Sequence, residues 1–369
     1  MIRDDEKLIS VTKLYMAMVG MWKFEETNSR NVLLKIYNKY YSRGIFLGYI
    51  LFMISLTINL ILLMENGDPW NQKAGNMGIL VAVIDIVVKI SIFNKYDVPH
   101  FFRYVKTMER DVWNSGKDDV ISLYKKQVTY CRTNCLLLGG ITLLASSTFV
   151  ITNFIKLSEN KDAIEDFMYH IWLPVDKKQH RILVVTINMC LISYSCVMQP
   201  TIKLVLCTLM VFSSTHLQIL QYKVKNRDIN EDPHIFIKRF LDEHLFLIRF
   251  IERFDRATSL VMLLEFLLNA VNVAAIIVDL LTTDAIMFPV IYGIMATVQL
   301  FTLTWNANEI KEQSVALGDA FYETDWYQMD INTQKSMILI ILRTQKPLML
   351  HLGPFGAMTA ETAVKVSIQ

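Results

Sequence analysis

The stretch Gly44 to Met64, GIFLGYILFMISLTINLILLM, contains no Asp, Glu, Lys or Arg. As an α-helix rising 1.5 Å per residue it is about 31 Å long, which matches the hydrocarbon core of a bilayer. Thr133 to Ile155 and Ala285 to Trp305 are equally free of charge. Three further stretches are long enough but carry charge: Met77 to Phe93 with Asp85 and Lys89, Ile182 to Phe212 with Lys203, and Ala257 to Leu281 with Glu265 and Asp279. A seventh, Phe355 to Gln369, includes Glu361 and Lys365. At about 22 Å it falls short of a bilayer and reads as a helix cut short. The fold class is therefore all-α, a polytopic membrane protein of seven transmembrane helices. Its spans lie near 44–64, 77–93, 133–155, 182–212, 257–281, 285–305 and 355–369, the last truncated in this sequence.

The composition of the 369-residue chain agrees: 53% of residues are hydrophobic and only 20% are charged, a balance that soluble domains of this size rarely show. The net charge of +2, with no basic stripe interleaved with aromatics, excludes a nucleic-acid partner. Residues 1–43 hold eight Lys/Arg and no apolar core of a signal peptide. The first span is thus expected to direct insertion.

Lys/Arg counts orient the chain. The N-terminal segment and the segments after spans two, four and six hold 8, 8, 8 and 4, against 1, 5 and 0 after spans one, three and five. The N-terminus is expected in the cytoplasm, and seven spans place the C-terminus outside.

Between spans four and five, Phe236, Phe240, Leu241, Leu245, Ile248, Ile251 and Phe254 recur at three-to-four spacing among charged residues. A helix opening after Asp232-Pro233 and running from His234 to Leu281 would be about 72 Å long, more than half of it outside the bilayer. Its apolar stripe must pack either on this chain's own loops or on an assembly partner. Periodicity favours neither. A second cytoplasmic helix is expected around Met337 to Leu342, so 213–256 and 306–350 read as a cytoplasmic helical anchor within one membrane domain, 44–369.

Five cysteines, Cys131, Cys135, Cys190, Cys196 and Cys207, lie in or beside apolar runs and read as packing residues. Cys131 and Cys135 are one turn apart, but no second pair or histidine completes a metal site. Asp85 and Lys89, also one turn apart, are expected to pair. Lys203, after Pro200, is expected to snorkel towards the interface. Glu265, Asn269 and Asn272 share one helix face and are read as interhelical hydrogen-bonding groups. No P-loop, Gly-x-Ser-x-Gly or His-Glu-x-x-His motif occurs, and the seven histidines show no ligand spacing. Neither an enzyme nor a cofactor is indicated.

Ala320-Phe321-Tyr322-Glu323-Thr324-Asp325-Trp326-Tyr327, then Arg343-Thr344-Gln345-Lys346-Pro347-Leu348 and Gly353-Pro354-Phe355, resemble the C-terminal signature of insect odorant receptors. Thr215 to Leu220 and His244 to Asp255 resemble the family more loosely. The motif-level likeness covers roughly the last 160 residues. It implies a subunit of a tetrameric nonselective cation channel assembled with an olfactory co-receptor, in the dendritic plasma membrane of olfactory sensory neurons. Tyr322, Asp325, Trp326, Tyr327, Arg343, Lys346 and Pro347 would then belong to the family's assembly region, and the amphipathic helix would serve assembly. The long insertion that the co-receptor carries between helices four and five is missing, which makes this a ligand-tuning subunit.

The resemblance also implies a pocket for small volatile apolar molecules in the outer halves of helices two, three, four and six. On this orientation Met77 and Val81, Ser147, Phe149 and Phe154, Met189, Tyr194 and Met198, and Tyr292 and Met295 are the candidate ligand contacts. The family's pore is assigned to its seventh helix, where Thr359, Thr362, Val366 and Gln369 recur at three-to-four spacing. In the family that helix continues beyond the residue matching Gln369. The alternatives are a gustatory-receptor-type channel, whose Thr-Tyr-rich seventh-helix motif is not seen, and a secondary transporter, whose inverted repeats are not seen. The topology is the reverse of a G-protein-coupled receptor.

Overall fold

The computed structural model describes residues 7–22, 36–67, 70–159, 167–169, 171–227, 231–282 and 286–359. Their architecture is helical throughout: α1 (Ser10–Val19), a π-helical turn (Tyr37–Tyr41) that runs into α2 (Ser42–Glu65), α3 (Trp70–Lys95), α4 (Val98–Asn114), α5 (Asp118–Glu159), α6 (Arg181–Lys225), α7 (Pro233–Thr282), α8 (Met287–Tyr322), a 3-10 turn (Trp326–Gln328) and α9 (Ile331–Thr344). Among the described residues, α2, α3, α5, α6, α7 and α8 are long and apolar enough to cross a membrane. The first five expected spans fall within α2, α3, α5, α6 and α7, and the sixth, 285–305, overlaps α8, which begins at Met287.

Their outward faces carry Leu47, Leu51, Leu143, Leu144, Leu267 and Phe301, all exposed. In α2 only 17% of the apolar window is buried. Water would penalise so much continuous apolar surface, whereas lipid solvates it. This is a multi-pass membrane protein.

Four of the spanning helices outrun the bilayer. At about 1.5 Å per residue the 50 residues of α7 make a rod of about 75 Å, the unbroken helix that the His234 to Leu281 pattern predicts. α5, α6 and α8 extend at the same end. There the second half of α6 becomes the centre of the core, with Leu204, Leu206, Leu209, Met210, Phe212 and Leu217 fully buried. α8, α5 and α1 pack most extensively on it, with α7 beside them, and α9 packs on α8 and α7. Gly318 on α8 faces the Thr344 side chain on α9 so closely that a Cβ would clash with the threonine Oγ1, so the two helices meet with only that side chain between them. Asp330 caps α9, accepting the N–H groups of Asn332 and Thr333 at 3.0 and 3.2 Å.

The seventh expected span is corrected in its first residues. Phe355 to Met358 is a turn, not a helix: Leu352 N–H donates to the Gly356 carbonyl at 2.9 Å and Met358 N–H to the Leu350 carbonyl at 2.7 Å. Pro354 lacks an N–H, and Gly353 and Gly356 stand at φ of 52° and 123°, conformations that break a helix. Residues 360–369 lie outside the described residues.

Two helices lie where the sequence showed only connecting segments. α1 packs against α6 and α5, with Thr12 Oγ1 2.6 Å from Thr208 Oγ1. Just before it, Leu8 N–H donates to Glu109 Oε1 on α4 at 2.9 Å, and the Tyr124 hydroxyl donates to the same oxygen at 3.0 Å. Burial pushes the Glu109 carboxyl up from its ordinary value, against the pull of these bonds and of Lys7. α4 buries Val98, Phe101, Phe102, Val105 and Val112 on one face. Trp22, after α1, packs edge-on against Phe102 at 5.9 Å beneath the ammonium of Lys106.

Candidate functional site

A cavity of about 980 Å³ lies among α3, α5, α6, α7 and α8, at the end expected to face outwards. That is the upper end of the size range of small-molecule sites. Its outer part combines aromatic and apolar walls with polar groups of α5, Thr152, Asn153 and the exposed Lys156. Phe149 on α5 packs against Phe288 on α8 at 5.2 Å, and Phe288 stacks on Tyr292 at 5.6 Å. Phe167 and Met168, from the segment between α5 and α6, complete this wall with Ile79 of α3. Met168 holds a positive φ of 53°, so this buried corner keeps its shape against a backbone preference.

Its inner end is ionic. Lys89 Nζ on α3 lies 2.5 Å from Asp85 Oδ2 and 2.8 Å from Glu265 Oε1 on α7, with side-chain exposures of 2%, 5% and 8%. Lys203 Nζ on α6 lies 3.4 Å from Glu265 Oε2 and also donates to Gln299 Oε1 on α8. Gln299 Nε2 in turn donates to Thr142 Oγ1 on α5 at 3.1 Å. One chain of bonds thus ties five helices, and its two lysines balance its two carboxylates. Charges this far from water persist only when paired in this way.

The predicted Asp85–Lys89 pair is present and recruits Glu265. The snorkelling expected of Lys203 is corrected. Its side chain turns inward, because Glu265 and Gln299 offer a countercharge and an acceptor that lipid does not. Lys203 lines the cavity with Glu265, Asn269 and Asn272, so the three polar groups read from sequence as interhelical hydrogen-bonding residues face a ligand-sized space.

Of the ten candidate contacts, the structure brings Phe149, Tyr292 and Met295 to the cavity wall. It does not bring the other seven. Met77, Val81 and Ser147 are exposed on the outer faces of α3 and α5, while Ile79, Val83 and Ser146 take the inward positions. Phe154 is exposed, edge-on to Phe167 at 5.3 Å. Met189 packs on a small cluster of Phe167, Met168, Val184 and Ile192. Tyr194 packs against Tyr49 at 5.3 Å and reaches the Val19 carbonyl with its hydroxyl. Met198 is fully buried in the main core. For Met77, Val81, Ser147 and Phe154 the cause is that in a bilayer both faces of a helix are apolar, so composition does not say which face turns inward. Met189, Tyr194 and Met198 do turn inward but pack on protein beside the cavity.

Among the signature residues, Tyr322 and Tyr327 are exposed. The Tyr327 hydroxyl donates to Asp325 Oδ1 at 3.2 Å, and Gln334 Nε2 fastens the 3-10 turn by donating to the Tyr327 carbonyl at 2.9 Å. Trp326 is partly buried against the core. Arg343 donates to the Lys346 carbonyl at 3.1 Å, closing the chain after α9. Pro347 follows, and Leu348 N–H donates to Ser314 Oγ on α8 at 3.0 Å. Thr359 ends the described residues; Thr362, Val366 and Gln369 lie outside them.

Six lipid-facing helices with a ligand-sized cavity among them, continued by a helical bundle outside the bilayer, define a polytopic membrane protein. The sequence profile of the family described as 7tm Odorant receptor matches residues 74–366, and the chain belongs to that family, which is not a family of enzymes. It is similar to Odorant receptor Or2 of Anopheles gambiae, 30% identical over 133 residues, 35% of each chain. It is also similar to Odorant receptor 10 of Aedes albopictus, 27% identical over 135 residues, 36% of each chain. These matches span only about a third of the relatives' length. The fold resembles that of the insect olfactory receptor OR5 from Machilis hrabei, solved in complex with eugenol, with a TM-score of 0.81 and 17% identity over 97% of this chain and 94% of that one.

Proposed function

We propose that this chain is a ligand-tuning odorant receptor subunit, which binds a small volatile molecule in the intramembrane cavity and gates a nonselective cation channel assembled as a tetramer with an olfactory co-receptor. The observation that carries this reading is a ligand-sized cavity set among the spans of a chain of this family. Phe149, Tyr292 and Met295 are its proposed contacts on the outer side. The N-terminus is cytoplasmic, and the protein sits in the plasma membrane of olfactory sensory dendrites.

Assembly falls to the bundle beyond the membrane. α9 exposes Ile331, Ile338, Leu339 and Leu342, beside exposed Tyr322 and Tyr327. An apolar row outside the bilayer suits burial against neighbouring subunits. Thr359, Thr362, Val366 and Gln369 are proposed to line the pore that those subunits enclose.

Whole-cell current during application of volatile esters, alcohols, hydrocarbons and acids tests the reading. Odorant-evoked cation current is expected only in cells that express both this chain and a co-receptor. Current from this chain alone, or none with the co-receptor although both reach the surface, would overturn it.

A further inference from the structure

The inner end of the cavity sets a chemical requirement on what binds there. An ammonium group has three N–H donors. On Lys203 one is directed to Glu265 and one to Gln299, and the side chain lines the cavity. Phe288 and Gln299 both line the cavity from α8, and eleven residues of helix separate them by about 16 Å. The site is therefore elongated, with aromatic rings beside Asn153 and the exposed Lys156 at its outer end and a buried ion cluster at the other.

We propose that Lys203, held in place by Glu265 and Gln299, is the polar anchor of this cavity, and that its ligand is a neutral molecule with one accepting oxygen, a carbonyl or hydroxyl, on a hydrocarbon body. The inference rests on the cavity being the ligand site. A pure hydrocarbon leaves the third N–H of Lys203 facing apolar matter, a loss worth roughly tenfold in affinity. A carboxylate or an alkylammonium adds an unbalanced charge to a cluster in which Asp85, Lys89, Lys203 and Glu265 already cancel. A neutral oxygen completes the cluster without charging it. Its hydrocarbon body then lies along Phe149, Tyr292 and Phe288.

The test uses the full chain in lipid nanodiscs and an eight-carbon series: octane, octanol, methyl hexyl ketone, octanoate and octylamine. The readout is the concentration of each that raises the thermal unfolding midpoint. Octanol and the ketone are expected to act at concentrations about tenfold below octane, with octanoate and octylamine weaker than both. Lys203→Gln alone leaves the cluster one charge out of balance and risks misfolding. Lys203→Gln with Glu265→Gln removes one charge of each sign and leaves Lys89 paired with Asp85. In that double variant octane is expected to bind as before, while the preference for oxygen shrinks to within about twofold. Equal action of octane, tightest binding of either ion, survival of the preference in the double variant, or no stabilisation by any of the five would each overturn the proposal. Running the series as currents with a co-receptor separates the two readings. Oxygen-selective stabilisation without current would sink the channel and keep the anchor; current with equal potency for octane would sink the anchor and keep the channel.

Discussion

Asp255 on α7 holds His351 twice. One carboxylate oxygen accepts the His351 backbone N–H at 2.7 Å, and the other lies 2.8 Å from ring Nδ1. Nearby, Gly353 N–H donates to the Ser259 carbonyl on the same helix at 3.1 Å, and Leu350 and Leu352 are buried. The chain leaving α9 is thereby strapped to α7. Asp255→Ala is expected to cost this strap about 1–3 kcal/mol, as for other charge-assisted bonds. Amide exchange over 348–358 should then quicken by roughly tenfold or more, while surface expression holds. Unchanged exchange would show that the buried leucines alone fix the segment.

Lys89 is the keystone of the ionic cluster, because it alone touches both Asp85 and Glu265. Lys89→Met would leave those carboxylates with only Lys203 between them, and breaking a buried pair in this way costs about 3–5 kcal/mol. Combining it with Asp85→Asn, which restores the charge balance, should recover most of that loss. Thermal midpoints of the two variants in detergent decide it, and equal midpoints would refute the charge argument.

The buried carboxyl of Glu109 yields a pH dependence with a definite sign. Its folded-state pKa lies above the unfolded value of about 4.3, so the folded state binds the proton more readily. Stability is therefore greatest below the unfolded value, falls as pH rises through the folded value, and stays lowered above it. Glu109→Gln keeps an oxygen for the Leu8 N–H and the Tyr124 hydroxyl while removing the charge. Its melting midpoint is expected to lose this slope and to exceed the native one near neutral pH, whereas Glu109→Ala, with no acceptor, should melt lower. A Gln variant that melts below the native chain at neutral pH would contradict this.

Cys196 lines the cavity, while Cys131, Cys135 and Cys207 are buried in the core and Cys190 is exposed. In a Cys190→Ser background, a small neutral thiol reagent should label Cys196 first, and a bound ligand should slow that labelling by the fraction of sites occupied. Labelling that ignores every ligand which stabilises the chain would place those ligands elsewhere.

The spans were legible because lipid imposes a length and forbids charge, and both are visible in Gly44 to Met64. α7 was legible because its apolar residues recur among charges. The inward face of each span was not: Ser146 and Ser147, or Met77 and Ile79, differ only by a rotation that lipid and protein core reward alike. The cavity floor was half legible. Asp85, Lys203 and Glu265 stood out as costly charges, but a sequence does not place three helices side by side. α4 did carry a readable signal, with Val98, Phe101, Phe102, Val105 and Val112 on one face after Asp97 and with Pro99 in its first turn. α1 is ten residues long, too short to declare itself by period and stable only because it is packed.

Glu265 and Asp255 lie on one uninterrupted helix, ten residues and about 15 Å apart. Just before Asp255, Phe254 and Phe250 bear on Phe101 at 6.2 and 5.4 Å. A stiff rod resting on such a bearing is a lever with its fulcrum beside Asp255. The tether on His351 and a carboxylate that lines the cavity are thus borne by one rod, with no break in the helix between them.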